Sequence, residues 1–500
     1  MASCAATAGA AETNETATAR RPAAEWLAAR NIPYHFTKRL DEHAAYAVLG
    51  ADTVGRMTKT EICELLDGAL LLDVPAAEAI AARGLGAHIG WQKGKFVGIA
   101  ENELCGTVAV VEESVRGEAL AKTLKRLGFG MRPASAALDL VPGPLRTRNS
   151  EGDLIRLDDG RILFSYTRFT SGTGQDHDAA DIVARESADG GRTWSSEDRV
   201  LVRNEGGLNV MESSFLRMKD GSLGLFYLRK NSNEDCRPVL RRSSDEGRTW
   251  SEPVVCVPDA QVGYYTLNNA RAVRLGDGRI VLPLSLFEKG DEAGALTCSV
   301  SDDDGRTWRR TCAPFKTFAA DGTRVMTQEP GVVELKDGRL LLYARTERGR
   351  QWFYYSSDRG ETFSKGEPGS LCGPLGPASV LRLRNGDLLA IWNDHEFAPE
   401  IAKAGPSCAH GLRRPLTLAV SKDEGRTWIH RLTLEDDPGH SRGWYCYFAA
   451  LELDDALLLA YCAEQWLQRS RVVRVPLSKL YAEPDPKGVP SAVNKKGCKP

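Results

Sequence analysis

The chain has 500 residues, room for two domains, and its 65 Lys and Arg nearly balance 67 Asp and Glu. That balance supplies no bulk field for nucleic acid or an anionic membrane. No apolar run approaches the ~20 residues of a spanning helix, and the 12 cysteines include no Cys-x-x-Cys pair to suggest zinc or thioredoxin-like chemistry.

Residues 1–22 are rich in Ala and Thr and are expected to form a disordered tail. They lack the apolar core of a signal peptide, and with scattered single cysteines this points to a reducing, cytoplasmic setting. Residues 23–130 read as a small α/β domain. Within it, Thr58 to Trp91 reads as helix, buried strand Leu70–Val74, helix and glycine stop. A further strand is expected at Val108–Glu112 and a helix from Gly117 to Leu127. This stretch resembles part of a glutamine-amidotransferase-like domain that accompanies some carbohydrate enzymes. It has no nucleophile elbow, so it is assigned no chemistry.

After a linker at Met131–Pro142, one pattern recurs: an apolar strand, a tight turn and another apolar strand. The copies span Asp153–Phe169, Ser214–Lys230, Arg271–Phe287, Gly331–Glu347, Ser379–His395 and Ala449–Gln465. Asp-Gly and Asn-Gly between apolar runs are strong hairpin signals.

A second repeat runs in step. Ser-x-Asp-x-Gly-x-Thr-aromatic begins at Ser187, Ser243, Ser301, Ser356 and Ser421, spaced 56, 58, 55 and 65 residues apart. Ser and Asp side chains brace a turn through backbone N–H groups. Gly takes a positive φ, and the aromatic ring fills the space beneath. Six hairpins with five braced turns predict an all-β six-bladed β-propeller over residues 136–483. Arg471–Tyr481 reads as a last strand that pairs with one before Asp153, and residues 484–500 as a flexible tail.

The braced turns resemble the Asp-boxes of the sialidase superfamily, and the resemblance covers the propeller half. It implies an exo-glycosidase acting on a terminal sialic acid or related acidic sugar of a glycoconjugate. A Tyr nucleophile activated by a Glu, an Asp acid/base and three carboxylate-binding arginines would do the chemistry, with no metal or organic cofactor. By distance from the first box the acid/base is Asp181; Asp176, His177 and Asp178 lie just before it. Gln328–Arg350 resembles the segment that holds the activating Glu329 and the substrate-binding Arg345, with Arg348 and Arg350 as alternatives. Arg413 stands eight residues before the fifth box, beside Arg414. Tyr447 is the implied nucleophile, with Tyr445 on the same strand face.

The chain departs from the family at the first arginine. Ser150-Glu151-Gly152 stands where an Arg-Ile-Pro phrase is expected, with Arg146, Arg148 and Arg168 nearby. Arg271 and Glu212 are further binding candidates on inner strands, and Asn268, Asn269, Asp394 and His395 share that placement. Rival readings are a propeller glycosidase or lyase acting on a uronic or deoxy sugar, and a carbohydrate-binding propeller without catalysis.

Overall fold

The computed structural model describes residues 136–140, 148–170, 175–396, 413–436, 444–463 and 469–482, with short segments between 35 and 110. The expected tails, the helix expected from Gly117 to Leu127, residues 131–135 and 141–142 of the expected linker, and Arg146 lie outside the described residues.

All six expected hairpins form. The first blade runs from the inside outward through strands Arg148–Arg156, Ile162–Phe169, Ala180–Ser187 and Arg199–Val202. The second starts at Asn209–Arg217, the fourth at Gln328–Glu334, the fifth at Ser379–Arg382 and the sixth at Tyr445–Glu452. The third has a broken inner edge, Tyr264–Thr266 and Val273–Arg274, against Ile280–Phe287.

The sixth sheet takes its outer strand from before the first blade, because Arg469–Pro476 pairs antiparallel with Ala136–Leu140. The last strand is shorter than its sequence suggests. Pro476 ends it, and Leu477–Leu480 form a helical turn that buries Leu480. Proline cannot donate to a sheet ladder, yet it suits the entry to a helix.

Six apolar clusters join neighbouring blades. Leu163 and Leu225 meet between blades one and two, Phe226 and Leu282 between two and three, and Val281 and Leu342 between three and four. Leu341 and Ala390 meet between four and five, Leu418 and Leu459 between five and six, and Phe164 and Leu458 between six and one. Burial of one such Leu or Phe is worth about 1.5–3 kcal/mol, so the cores between sheets supply most of the rigidity.

The braced turns add stitches. In the third, Ser301 Oγ lies 2.8 Å from Asp303 Oδ1 and accepts the Gly305 N–H at 2.7 Å. Asp303 accepts the Thr307 N–H at 2.9 Å and its hydroxyl at 2.6 Å. In the second, third and fifth boxes the residue before the glycine then reaches the preceding blade's hairpin turn. Glu246 accepts the Asp158 N–H at 3.2 Å, Asp304 the Lys219 N–H at 3.2 Å and Glu424 the Lys336 N–H at 2.8 Å.

In the N-terminal segment, strands Ala45–Leu49, Leu70–Leu72 and Val108–Val110 pair in parallel, with His35–Phe36 antiparallel at the edge. The described residues of the two expected strands, Leu70–Leu72 and Val108–Val110, are thus extended and paired.

Candidate active site

The inner strands of four blades carry the same irregularity. In blade one Ser150 pairs with Thr167 and Gly152 with Tyr166, which makes Glu151 an extra residue. The ladder slips by one between Met211 and Ser214, between Gln328 and Gly331, and between Cys446 and Ala449. Such bulges bend a strand and re-aim a side chain. Here they present Glu151, Glu212, Glu329 and Tyr447, and all four line one cavity. Glu212, Glu329 and Tyr447 take φ of 61°, 48° and 59°. A left-handed backbone at a non-glycine residue costs of order 1–3 kcal/mol and tends to gather at functional sites. Gly152 serves the first bulge: a Cβ there would lie 2.1 Å from the Ser165 carbonyl oxygen.

Asp176, Met211, Leu228, Lys230, Tyr264 and Thr266 complete the lining. Glu329 pairs with Arg345 at 3.1 Å and accepts a hydrogen bond from Asn268 at 3.1 Å. Asn269 donates to the carbonyls of Gly152 at 2.7 Å and Tyr447 at 3.2 Å, which ties the sixth blade's bulge to the first's. The Arg413 guanidinium sits 4.7 Å above the Trp444 ring and 5.9 Å from the Tyr447 ring centre. It donates to Cys446 Sγ at 2.6 Å and to the Leu375 carbonyl at 3.1 Å. The Nε atoms of Arg345 and Arg413 are buried and donate to no protein atom.

Burial, then the negative charges of Glu329 and Cys446, push the Tyr447 phenol well above its ordinary value, while Arg413 pulls it down. Burial and the neighbouring Glu151 and Glu329 raise Glu212 well above the carboxylate range. Burial also raises Glu151, against the pull of Arg148. Asp176 behaves differently. Its surroundings would raise it, but Arg148, 2.5 Å away, holds it below the usual value, and its side chain is 63% exposed at the cavity mouth.

The structure brings together Tyr447, Glu329, Glu212, Arg345 and Arg413. It places Asp181 elsewhere. Its carboxylate accepts from the Asn204 N–H at 2.9 Å and from Arg168 at 3.2 Å, off the cavity lining. The alternating pleat sends it into a cluster where Arg168 and Arg185 also hold Asp198. Arg168 is therefore committed to that cluster and does not reach the cavity. Asp176, from the neighbouring loop, takes the place expected of Asp181.

Arg271 is displaced as well. It reaches across to blade five, donating to Ser379 Oγ at 2.9 Å and to the Ala378 carbonyl at 2.5 Å. It lines a separate space with Asp153 and Phe448. Arg348 pairs with Glu347, Arg350 donates to Gly369, Arg414 pairs with Asp436 and Asp394 with Arg431.

Two residues that matter were passed over. Arg148 packs 4.7 Å from the Phe169 ring and contacts Glu151 at 2.7 Å and Asp176. Glu151 itself was read only as a gap. A signal for it exists: Glu151, Glu212 and Glu329 each stand nine residues before a hairpin glycine (Gly160, Gly221 and Gly338), and Tyr447 stands nine before Ala456, at the start of the next strand.

A family model described as BNR repeat-like domain matches residues 160–459. A sialidase of Bacteroides fragilis is 26% identical over 365 residues, which are 64% of this chain and 60% of that protein. The chain thus spans well under two thirds of that relative's length. Among solved structures, a protein of unknown function from Dyadobacter fermentans superposes with a TM-score of 0.54 at 18% identity, covering 69% of this chain and 99% of that one. A Trypanosoma rangeli sialidase in complex with the inhibitor DANA superposes with a TM-score of 0.52 at 17% identity, covering 67% and 56%.

Proposed function

The chain belongs to the BNR repeat-like domain family, within the sialidase superfamily, and from that premise we propose that it is an exo-acting glycoside hydrolase of sialidase type that releases a terminal acidic sugar from a glycoconjugate. The observation that carries this reading is the convergence of Tyr447, Glu329 and Asp176 on one cavity, with Arg345 and Arg413 beside them.

In this reading the roles are divided as follows. Tyr447 Oη attacks the anomeric carbon while Glu329 takes the phenol proton. A neutral nucleophile suits an anomeric carbon that bears a carboxylate, because an anionic one would be repelled. Arg345, beside Glu329, and Arg413, beside the Tyr447 ring, are assigned to that carboxylate as charge-assisted donors. Asp176, at the open mouth, gives its proton to the leaving oxygen and later takes one from the water that cleaves the tyrosyl–sugar bond. Arg148 keeps Asp176 ionised in the resting site, so protonation, and with it the first step, is favoured on the acid side.

The test is release of 4-methylumbelliferone from its N-acetylneuraminic acid, deaminated neuraminic acid and uronic acid glycosides. Turnover of one of these that vanishes in Tyr447→Phe supports the proposal. Absence of turnover with all three overturns it.

A further inference from the structure

The four bulges meet at one short segment of blade three. The inner edge of that blade breaks after Thr266 and resumes at Val273. Asn268, Asn269 and Ala270 lie in the break, and the two asparagines are 0% and 1% exposed. Asn268 donates to Glu329, the residue presented by the fourth blade's bulge, at 3.1 Å. Asn269 donates to the Gly152 carbonyl at the first bulge at 2.7 Å and to the Tyr447 carbonyl at the sixth at 3.2 Å. The Ala270 N–H donates to the Ser213 carbonyl at the second at 3.1 Å. Neither asparagine lines the cavity, so each acts on its contents only through the residues it holds.

A bulge disrupts the strand ladder, and a buried carbonyl taken out of the ladder needs another donor. A primary amide carries two N–H groups, and Asn269 sets them on two such carbonyls at once. Those bonds also fix the amide, because the reversed orientation would face its oxygen to both carbonyls. Glu212, Glu329 and Tyr447 have left-handed backbones, which persist only where the surroundings over-determine them. We infer that Asn268 and Asn269 are positioning residues for the reaction. Asn269 holds the backbone from which Tyr447 reaches the anomeric carbon, and Asn268 holds the carboxylate of Glu329. The inference rests on the glycosidase reading for the roles of Tyr447 and Glu329. Asn268 and Arg345 both contact Glu329 Oε2, which leaves Oε1 to take the phenol proton.

Asn269→Leu in the full chain keeps a side chain of similar size and removes both N–H groups. Its kcat, per folded molecule, on the aryl glycoside that the wild type turns over should fall about 10²-fold, the usual effect of a small misplacement of a reacting group. KM should stay within about twofold, because Arg345 and Arg413 still hold the substrate. Asn268→Leu should lower kcat about tenfold, since Arg345 still holds Glu329 Oε2. It is the second variant should Asn269→Leu not fold. A readout without catalysis is the NMR signal of Tyr447 in protein isotope-labelled at tyrosine Cζ, identified by its loss in Tyr447→Phe. That signal should shift or split in Asn269→Leu, as the ring leaves its one placement beside Arg413 and Trp444.

A merely structural role would lower the thermal midpoint and leave kcat per folded molecule at the wild-type value, and that result overturns the inference. So does a rise in KM with kcat unchanged, which would make the segment a binding element, and so does a Tyr447 signal that stays in place. If only Asn268→Leu folds, an unchanged kcat in that variant overturns it. These failures leave the glycosidase reading standing, because the wild type still turns over substrate. A wild type that turns over none of the aryl glycosides removes the hydrolase instead, and the Tyr447 signal then decides alone whether Asn269 holds that ring.

Discussion

The outer turns and the inner bulges are both repeated devices, and they vary in opposite ways. All five boxes keep Ser, Asp, Gly and Thr, and in each the serine hydroxyl takes the glycine N–H at 2.7–2.8 Å. The four bulges keep a backbone slip but carry Glu, Glu, Glu and Tyr. A turn that must close a hairpin against its neighbour has one good solution, so its side chains repeat. A bulge only aims a residue at the centre, so what it aims is open to specialisation. Repetition marks the scaffold, and departure from repetition marks the chemistry.

The largest effect that would sharpen this contrast is at the sixth bulge. Tyr447→Phe should lower kcat by about three orders of magnitude or more, because it removes the nucleophile and leaves the ring packing in place. Its thermal midpoint should stay at the wild-type value, since a buried hydroxyl beside Glu329 contributes little to the core. Activity retained in this variant would break the contrast at its strongest point.

Next in size is the pair Asp176 and Asp181. Asp176→Asn should reduce kcat/KM by about 10²–10⁴-fold, the usual worth of a positioned acid/base. Asp181→Asn should act mainly on stability, because its carboxylate pairs with Arg168 and caps the Asn204 N–H. Equal losses of activity in the two variants would remove the distinction drawn between cavity and cluster. Arg148→Gln adds a signed check: without that cation the Asp176 pKa rises, and the alkaline limb of the kcat/KM profile should move to higher pH.

These two aspartates also show how far the sequence could be read. Box spacing and hairpin turns fixed the blade count, because local turn chemistry needs no tertiary information. Glu329, Arg345 and Tyr447 were named through segments that resemble the family's, and Arg413 through its distance from the fifth box; the structure brings these four together. Asp181 lies on the same strand as the first box serine, Ala180–Ser187, but the pleat turns its carboxylate to Arg168, while the carboxylate that lines the cavity, Asp176, stands in the loop before the strand, beyond the reach of alternation. Glu151 was legible in principle through its nine-residue offset from Gly160. It was passed over because an arginine was expected there, and a bulge cannot be seen without the partner strand.

A smaller effect tests the outside. Ser301 is buried, and Ser301→Ala leaves the Gly305 N–H and one Asp303 oxygen without their shared partner. A loss of about 1–2 kcal/mol in denaturant unfolding is expected, with kcat unchanged. A change in kcat with no loss of stability would mean that the boxes do more than brace the blades.

A last comparison uses pH to set the outer and inner carboxylates against each other. Asp303 in its box is buried somewhat, which would raise its pKa, but Thr307 and Ser301 hold it at about 2. A depressed value means stability present above the unfolded pKa near 4 and lost as pH falls toward 2. Asp153, on the first inner strand, goes the other way. Burial raises it to about 7, although the Phe215 and Leu154 N–H groups both donate to it. The folded chain then holds a proton that the unfolded chain has released, so this residue makes stability fall as pH rises from near 4 to about 7. The slope it can contribute is at most ~1.4 kcal/mol per pH unit. Asp153→Asn should flatten the curve in that window alone, and Asp303→Asn should flatten it only below pH 4. A curve for Asp153→Asn that parallels wild type between pH 4 and 7 would show that the inner carboxylate is ionised and that burial at the centre costs it less than the geometry requires.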